Sequence, residues 1–385
     1  MSTPTRGSCA IVGAATAHLG EAPGFSHMEV MADAARAALA DCGLTLADVD
    51  GLFCESLQAA FPAGHFAQYL GLTPSYIDST NTGGSSVVFQ MRTAAIALEA
   101  GAIDVALICY GSNQRSASGK LTSPSQGEIF PYEHPYKPRP PIMGYAFATA
   151  RHMHEFGTTR RQLAEVAVAA RDWARLNPEA FMREPLTVED VVNARMIADP
   201  MTVRDCCLVT DGGGAIVMTR SDRAKDMPRP PVHVLGVAGA QSHWHITMMP
   251  DLTTTCAVES ANAAFAASGV KRSEVDVVQL YDAFTINTIT LLEDMGFCQK
   301  GEGGAFVSEG RIAPGGEFPV NTYGGGLSCT HPGMLGMFVV VEAVRQLRGE
   351  CGDRQVADCE VAVAHGNGGM FSSEATALLG TASTL

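Results

Sequence analysis

The chain has 385 residues, of which 46% are hydrophobic and 17% are charged, so it can bury a large core in two domain-sized units. Its formal charge of −14 at pH 7 argues against a generally basic surface that would bind nucleic acid. No stretch of 18 apolar residues occurs, and the first residues lack the basic-then-apolar pattern of a secretory signal. We therefore expect no membrane insertion and a cytoplasmic location.

Eleven cysteines are spread along the chain without a C-x-x-C pair, and several lie inside apolar stretches, which is typical of reduced thiols. The histidine pairs His152/His154 and His243/His245 have no partner cysteines at the spacing of a zinc finger. We expect structural roles for these histidines and no metal site.

The first predicted elements are a β-branched strand over 9–17, an alanine-rich helix that stops before Gly43, and a strand that runs to Glu55. A polar turn, NTGGSS at 81–86, then leads into an apolar helix and a further strand. Glycines before a helix bring backbone amides close to a reacting oxygen or a phosphate. This turn is therefore a candidate functional site.

Residues 113–200 begin with a loop rich in serine, proline and aromatic residues and continue with amphipathic helices. The segment has no counterpart elsewhere in the chain, so we interpret it as an inserted cap or loop domain. The proline-rich stretch 226–234 is predicted to link the two halves.

The second half repeats the first. Residues 37–55, AALADCGLTLADVDGLFCE, align with residues 263–281, AAFAASGVKRSEVDVVQLY, so that Asp50 corresponds to Asp276 at an offset of 226 residues. Each copy predicts a helix, a glycine stop, a short turn and an apolar strand. Two such α/β halves, each with a mostly parallel sheet and right-handed crossovers, would place their strand ends around one shared centre.

These patterns define the predicted domains: a first half at 1–227 with the insertion at about 113–200, and a second half at 228–385. The segments DCCLVTDGGGAIVMT at 205–219 and NTYGGGLSCTHPG at 321–333, with YDAF beginning at Tyr281, resemble the thiolase superfamily, specifically its sterol-carrier-protein or lipid-transfer type. The resemblance covers nearly the whole chain.

The resemblance implies a five-layer αβαβα fold of two similar halves with an inserted loop domain. It also implies a homodimer that acts on an acyl-coenzyme A thioester without a tightly bound cofactor. Proteins of this type often work with a small companion subunit that carries a zinc ribbon and an OB-fold, so such a partner is expected.

The turn at 81–86 corresponds to the nucleophile turn of true thiolases, which holds a cysteine. Here the candidate positions are Thr82, Gly83 and Gly84. Because a thioester forms and exchanges efficiently only with a readily ionised thiol, acyl-cysteine chemistry is not expected at this turn. Gly366 and Ala283 occupy the positions of the two alternative acid/base cysteines of the family.

A tyrosine and a histidine remain at the family's catalytic segments, Tyr281 in YDAF and His331 in CTHPG. The resemblance therefore favours retro-aldol cleavage of a β-hydroxyacyl-CoA, in which Tyr281 acts as acid/base and His331 relays a proton or donates to an oxyanion. Core packing is the structural alternative for both side chains. The backbone amides of four glycines are predicted to cradle the thioester oxygen: Gly83, Gly84, Gly368 and Gly369.

Two other functions stay open. Cys329 could act as a thiol acid/base or nucleophile in a thiolase-like acyltransferase or condensing enzyme, and the chain could instead be a non-catalytic acyl-CoA or lipid-binding subunit. The phosphates of CoA would need basic residues near the insertion, where the candidates are Arg115, Lys120, Lys137, Arg139, Arg160 and Arg161.

Overall fold

The computed structural model describes residues 4–118 and 133–385. Its strands are Cys9–Gly20 (β1), Gly51–Glu55 (β2), Tyr76–Asp78 (β3), Ala106–Ser112 (β4), Met196–Ala198 (β5), Met201–Thr202 (β6), Asp211–Arg220 (β7), Val232–Gln241 (β8), Val277–Leu280 (β9), Val361–Gly368 (β10) and Ser373–Gly380 (β11).

The helices follow the same chain order. They are His27–Asp41 (α1), Pro62–Leu70 (α2), Ser86–Glu99 (α3), Gln114–Ser118 (α4), Ile142–Phe156 (α5), Arg160–Arg175 (α6), Val188–Val192 (α7), Ser221–Ala224 (α8), Ala257–Ser268 (α9), Thr285–Asp294 (α10), Gly303–Phe306 (α11) and Gly336–Leu347 (α12). Within the described part of the chain, no helix is long and apolar enough to cross a membrane.

Helix ends follow local capping chemistry. The Ser26 side chain accepts a hydrogen bond from the Glu29 backbone N–H at 3.2 Å, while the Glu29 carboxylate accepts one from the Ser26 backbone N–H at 2.8 Å. This capping box satisfies two donors that the start of α1 leaves without intrahelical partners. In the second half, α9 ends at Gly269, which adopts the left-handed conformation with φ at +67°.

One nine-stranded sheet runs through both halves in the order β3-β2-β4-β7-β1-β8-β11-β10-β9. The halves join where β1 pairs with β8, at Ala10 opposite His233 and Ile11 opposite Val232. Strands β5 and β6 form a separate two-stranded sheet at the end of the predicted insertion, with β6 just beyond its predicted boundary.

The prediction of a mostly parallel sheet in each half is wrong at the level of strand pairing. The pairs β2–β3, β2–β4 and β9–β10 are parallel, as the crossover pattern predicted. The other five pairs are antiparallel: four involve β7 or β11, which lie inside the sheet and run against their neighbours, and the fifth is the β1–β8 pair that joins the halves. Only residues 369–372 connect β10 to β11, and so short a connection permits only an antiparallel pair.

The internal repeat is present in three dimensions. The Asp50 carboxylate accepts hydrogen bonds from the backbone N–H groups of 104–105, each at 2.8 Å, just before β4. The Asp276 carboxylate does the same for 360–361, at 2.8 and 2.9 Å, at the start of β10. The matched aspartates therefore fix β2 against β4 and β9 against β10 in the same way.

Five layers result from this duplication. Helices α3 and α12 contact each other and strands of both halves, so they form the central layer. Helix α1 covers the outer face of β1, β4 and β7, and α9 covers the outer face of β8 and β11. The arrangement is the predicted αβαβα stack, with the N-termini of the central helices near the carboxyl ends of the flanking strands. The domain boundaries given above remain a prediction.

Candidate active site

Tyr281 directly follows β9, and its side chain is buried with 6% of its surface exposed. The Tyr281 hydroxyl lies 2.9 Å from Nε2 of His331, whose side chain is also buried. The two rings meet edge-on at 87°. The structure thus places the two side chains that were predicted to perform acid–base chemistry within hydrogen-bond distance of each other.

The glycine turn forms the floor beneath Tyr281. A Cβ atom on Gly84 would lie 1.9 Å from Cε2 of Tyr281 and 2.6 Å from the carbonyl oxygen of Asn367. No side chain fits in that space, so the turn must carry glycine for the tyrosine ring to lie against its backbone. The absence of a thiol did not explain why residue 84 is glycine, whereas close packing against Tyr281 does.

The glycines after β10 pack against the same turn. A Cβ atom on Gly83 would lie 2.9 Å from Cα of Gly368, and one on Gly368 would lie 1.6 Å from the carbonyl oxygen of Thr82. The residues proposed from the two halves therefore meet in one place. The Gly83 N–H, however, donates to Oδ1 of Asn81 at 3.2 Å, so that amide already has a partner. Oxyanion binding by the glycine amides remains a prediction.

Burial makes both members of the Tyr281–His331 pair neutral at pH 7. It raises the pKa of Tyr281 well above the ordinary value of a phenol, and the nearby Cys207 thiol adds to the increase. It lowers the pKa of His331 to about 4. The other ring nitrogen, Nδ1 of His331, is buried without a hydrogen-bond partner among the described residues. The contact is therefore a neutral hydrogen bond between a phenol and an imidazole.

First-half residues hold the loop that carries His331. The His331 N–H donates to Oγ1 of Thr210 at 2.9 Å, and its carbonyl accepts from Nε2 of Gln114 at 2.9 Å. The Tyr110 hydroxyl donates to the carbonyl of the next residue, Pro332, at 2.5 Å. The imidazole is thus fixed from the opposite half of the molecule.

Asp282, the residue after Tyr281, fixes a neighbouring loop. Its Oδ1 accepts a hydrogen bond from the Gly326 N–H at 2.6 Å, within the π-helical turn Gly325–Cys329. Burial raises the pKa of Asp282 to about 7, while this and other backbone hydrogen bonds oppose the increase. The carboxyl group anchors the turn on which the histidine loop depends.

Cys329 has neighbours other than this pair. Its thiol is buried and lies 3.6 Å from Nδ2 of Asn177, next to the side chains of Tyr323 and Glu342. Burial raises the pKa of Cys329 far above the ordinary value, which disfavours the thiolate. No hydrogen bond between Cys329 and Tyr281 or His331 is present in the described structure. Its predicted role as nucleophile gains no support from this geometry.

Two ionisable residues at the site were missed by the sequence argument. The Cys207 N–H donates to the carbonyl of Ala283 at 2.7 Å, which places this cysteine beside the tyrosine loop. Glu55 ends β2 with a fully buried side chain, and burial raises its pKa to about 8. The repeat alignment was the available signal for Glu55, because it pairs this residue with Tyr281.

The basic residues proposed to bind the CoA phosphates differ in their exposure and in their ion pairs. Lys137 and Arg139 are exposed, and Lys120 lies outside the described residues. The remaining three form ion pairs with acidic side chains, Arg115 with Glu21 at 2.7 Å, Arg160 with Asp205 at 2.7 Å and Arg161 with Glu189 at 2.9 Å. Among the described candidates, Lys137 and Arg139 are thus the two that form no ion pair.

One member of each histidine pair is described here by its structural partners, His152 and His243. His152 contacts Thr158 at 2.8 Å and Glu293 at 3.0 Å, and His243 contacts the carbonyl of Met370 at 3.0 Å. Among residues 4–118 and 133–385, no group of three His, Cys, Asp or Glu side chains is placed to hold a metal ion.

Known proteins show the same architecture. The family model described as thiolase C-terminal domain-like matches residues 238–381. An acetyl-CoA acetyltransferase of Methanothermobacter thermautotrophicus is 32% identical over 94% of this chain and 96% of the relative. A 17-hydroxy-3-oxo-4-pregnene-20-carboxyl-CoA lyase of Mycobacterium tuberculosis is 35% identical over 89% of this chain and 92% of the relative. The solved structure of an Ltp2-ChsH2(DUF35) aldolase has a TM-score of 0.89 at 30% identity and covers 98% of both chains.

The layered fold and the strand-end site define a thiolase-type protein whose nucleophile turn lacks a thiol. With these relatives, the chain belongs to the thiolase superfamily, in the sterol-carrier or lipid-transfer branch that the sequence motifs predicted.

Proposed function

We propose that the protein cleaves a carbon–carbon bond in a β-hydroxyacyl-CoA by a retro-aldol reaction, without an acyl-cysteine intermediate. The 2.9 Å contact between the Tyr281 hydroxyl and His331 Nε2, beside a turn with no thiol, is the observation that carries this proposal. The lyase and aldolase names of two similar proteins support the same reaction class.

The neutral pair suits a proton relay. As Tyr281 accepts the proton of the β-hydroxyl group, its own proton passes to Nε2 of His331, so no free phenolate forms in the buried site. The bond between the α- and β-carbons then breaks, giving a carbonyl product and a thioester enolate. The enolate's negative charge offsets the charge on the transient imidazolium, which burial alone disfavours.

Two central helices face the developing charge. A Cβ atom on Gly336, the first residue of α12, would lie 2.1 Å from the carbonyl oxygen of Gly84, two residues before α3 begins. The N-termini of α3 and α12 therefore meet at the glycine turn. Their dipoles favour an anion there, which would stabilise the enolate.

A second candidate function is acyl transfer, because one similar protein is named an acetyl-CoA acetyltransferase. That reaction needs a reactive nucleophile. The candidate Cys329 is buried, and its raised pKa keeps it protonated. We therefore rank acyl transfer second.

We further infer a companion subunit and a homodimer. The similar Ltp2-ChsH2(DUF35) structure is named for two components, in agreement with an expected small zinc-ribbon and OB-fold partner. Strand β3 is an edge of the sheet, and its Ile77 side chain is 54% exposed, which suits pairing with a second copy. Acyl-CoA as substrate and a cytoplasmic location complete the proposal, with CoA phosphates near Lys137 and Arg139.

The test is a panel of β-hydroxyacyl- and β-ketoacyl-CoA thioesters, incubated with the protein alone and with any small companion encoded beside it. We expect β-hydroxyacyl-CoAs to yield a ketone or aldehyde and a shortened acyl-CoA, identified by mass spectrometry. Cleavage of β-ketoacyl-CoAs that requires free CoA, with an acyl adduct on a cysteine, would instead establish thiolysis. Tight acyl-CoA binding without turnover of any compound would identify a binding subunit.

A further inference from the structure

Glu55 is the counterpart of the acid–base tyrosine in the internal repeat. The offset that matches Asp50 with Asp276 also matches Glu55 with Tyr281. The two aspartates make equivalent backbone contacts at the starts of β2 and β9, so the alignment holds in three dimensions. Both Glu55 and Tyr281 therefore stand at the carboxyl end of a buried strand in equivalent positions of the two halves.

The side chain of Glu55 points toward the central layer. Along β2, Leu52 and Cys54 belong to the core under α1, whereas Phe53 belongs to the core around α3. Because strand side chains alternate between faces, Glu55 shares the face of Phe53. It lies in register with Tyr110 of β4, which is also in the core around α3 and binds the loop of His331 through Pro332.

The central helices bring the two strand ends to one centre. The contact between Gly336 and the Gly84 carbonyl joins the N-termini of α3 and α12, and Tyr281 lies directly against Gly84. Glu55 is linked to the start of α12 from the first half, because its partner in register, Tyr110, binds Pro332 four residues before that helix begins. The repeat thus supplies one ionisable group from each half.

The Glu55 carboxyl group makes no hydrogen bond of ordinary geometry in the described structure. The side chain has no exposed surface, and neither carboxyl oxygen has a hydrogen-bond partner that meets distance and angle limits among the described residues. The nearby backbone N–H of Ser56 lowers the pKa of Glu55, but by less than burial raises it. A buried polar group without a partner is costly, so its presence here points to a ligand that completes it.

We propose that Glu55 is the acid that protonates the α-carbon of the acyl-CoA enolate. The proposal rests on the retro-aldol function above and assigns its last proton transfer. The Glu55 carboxylic acid gives its proton to the enolate carbon, a C–H bond forms, and the acyl-CoA product is complete. The proton that Tyr281 and His331 took from the hydroxyl group then returns to the Glu55 carboxylate, so the cycle consumes no proton.

The test uses the reverse of that last transfer, in the whole chain with its companion subunit where one is found. Wild-type protein is incubated in deuterium oxide with the shortened acyl-CoA product, and α-deuteration is followed by mass spectrometry. We expect Glu55→Gln to slow exchange by roughly 100-fold or more, a typical effect of losing a general acid or base. Glu55→Asp should recover part of the rate, and the Kd for the acyl-CoA should stay unchanged.

Controls separate this role from a structural one. Because the Glu55 carboxyl group makes no hydrogen bond of ordinary geometry among the described residues, Glu55→Gln should not lower the melting temperature. Glu374→Gln replaces another fully buried carboxyl group, one that contacts His365 at 2.9 Å on β10, and should keep wild-type exchange. Wild-type exchange in Glu55→Gln, or no exchange in the wild-type protein, overturns the proposal.

The same assay separates this inference from the proposed function. Tyr281→Phe should lose cleavage of β-hydroxyacyl-CoAs and keep α-deuteration, because only the hydroxyl proton needs the tyrosine. A wild-type protein that exchanges the α-hydrogen in a Glu55-dependent way but cleaves no β-hydroxyacyl-CoA would refute retro-aldol cleavage and leave the role of Glu55 at the α-carbon intact.

Discussion

At the scale of single residues, close packing of a glycine turn against a tyrosine ring determines the site. The sequence showed that the turn has no thiol, but it did not show what packs against the turn. The ring of Tyr281 lies against Gly84, where a Cβ atom would lie 1.9 Å from Cε2 of the ring. The position of the tyrosine therefore requires a residue without a side chain at this point of the turn.

Gly84→Ala should consequently disable the enzyme. The added methyl group would fall 1.9 Å from the Tyr281 ring, so the ring must move away from His331. Since small displacements of reacting groups cost about 100-fold in rate, we expect a loss of roughly that size in kcat for C–C cleavage. Gly64→Ala is the matched control, since Gly64 lies in α2 with nothing near its Cβ position. Equal rates for the two variants would contradict the packing argument.

The sequence predicted the identity of the site residues better than their burial. Tyr281 and His331 were identified from their motifs, and the structure brings them together. The neutral state of the pair and the unpartnered carboxyl of Glu55 depend on burial by residues far away in the chain. Cys329 stayed a candidate nucleophile in the sequence, and its burial, which raises the pKa of the thiol, argues against that role.

At the scale of secondary-structure elements, the internal repeat predicted the elements themselves better than the order in which the strands pair. It located β1, α1 and β2 and their counterparts β8, α9 and β9, because each unit carries its own capping and turn residues. The order of the strands in the sheet could not be predicted from the sequence. Strands β7 and β11 insert between strands that are distant in sequence, and no local pattern specifies which neighbours a strand will find.

The edge strand β3 supports a prediction about assembly. Ile77 is 54% exposed on an edge that offers unpaired backbone groups, and Phe61 nearby in the chain is 81% exposed. Ile77→Lys should convert a dimer into a monomer in light scattering coupled to size exclusion. Met196→Lys, at a similarly exposed apolar residue on β5, should leave the dimer intact. A dimer that survives Ile77→Lys at micromolar concentration would place the interface elsewhere.

At the scale of the whole molecule, two similar halves build one site. The duplication places α3 and α12 between the halves, with their N-termini in contact at the glycine turn. Each half then contributes an ionisable residue at the end of its equivalent strand, Glu55 from the first and Tyr281 from the second. The resemblance predicted this architecture, whereas the acyl group depends on pocket shape that motifs do not specify.

The measurement that tests the central claim most directly is the rate of C–C cleavage by Tyr281→Phe, with acyl-CoA binding measured in parallel. The phenyl ring keeps the contact with Gly84 and removes only the hydroxyl group that reaches His331. We predict that kcat falls by about 100-fold or more while the Kd for the CoA ester stays within a factor of about two. Wild-type cleavage by this variant would show that Tyr281 does not take the hydroxyl proton.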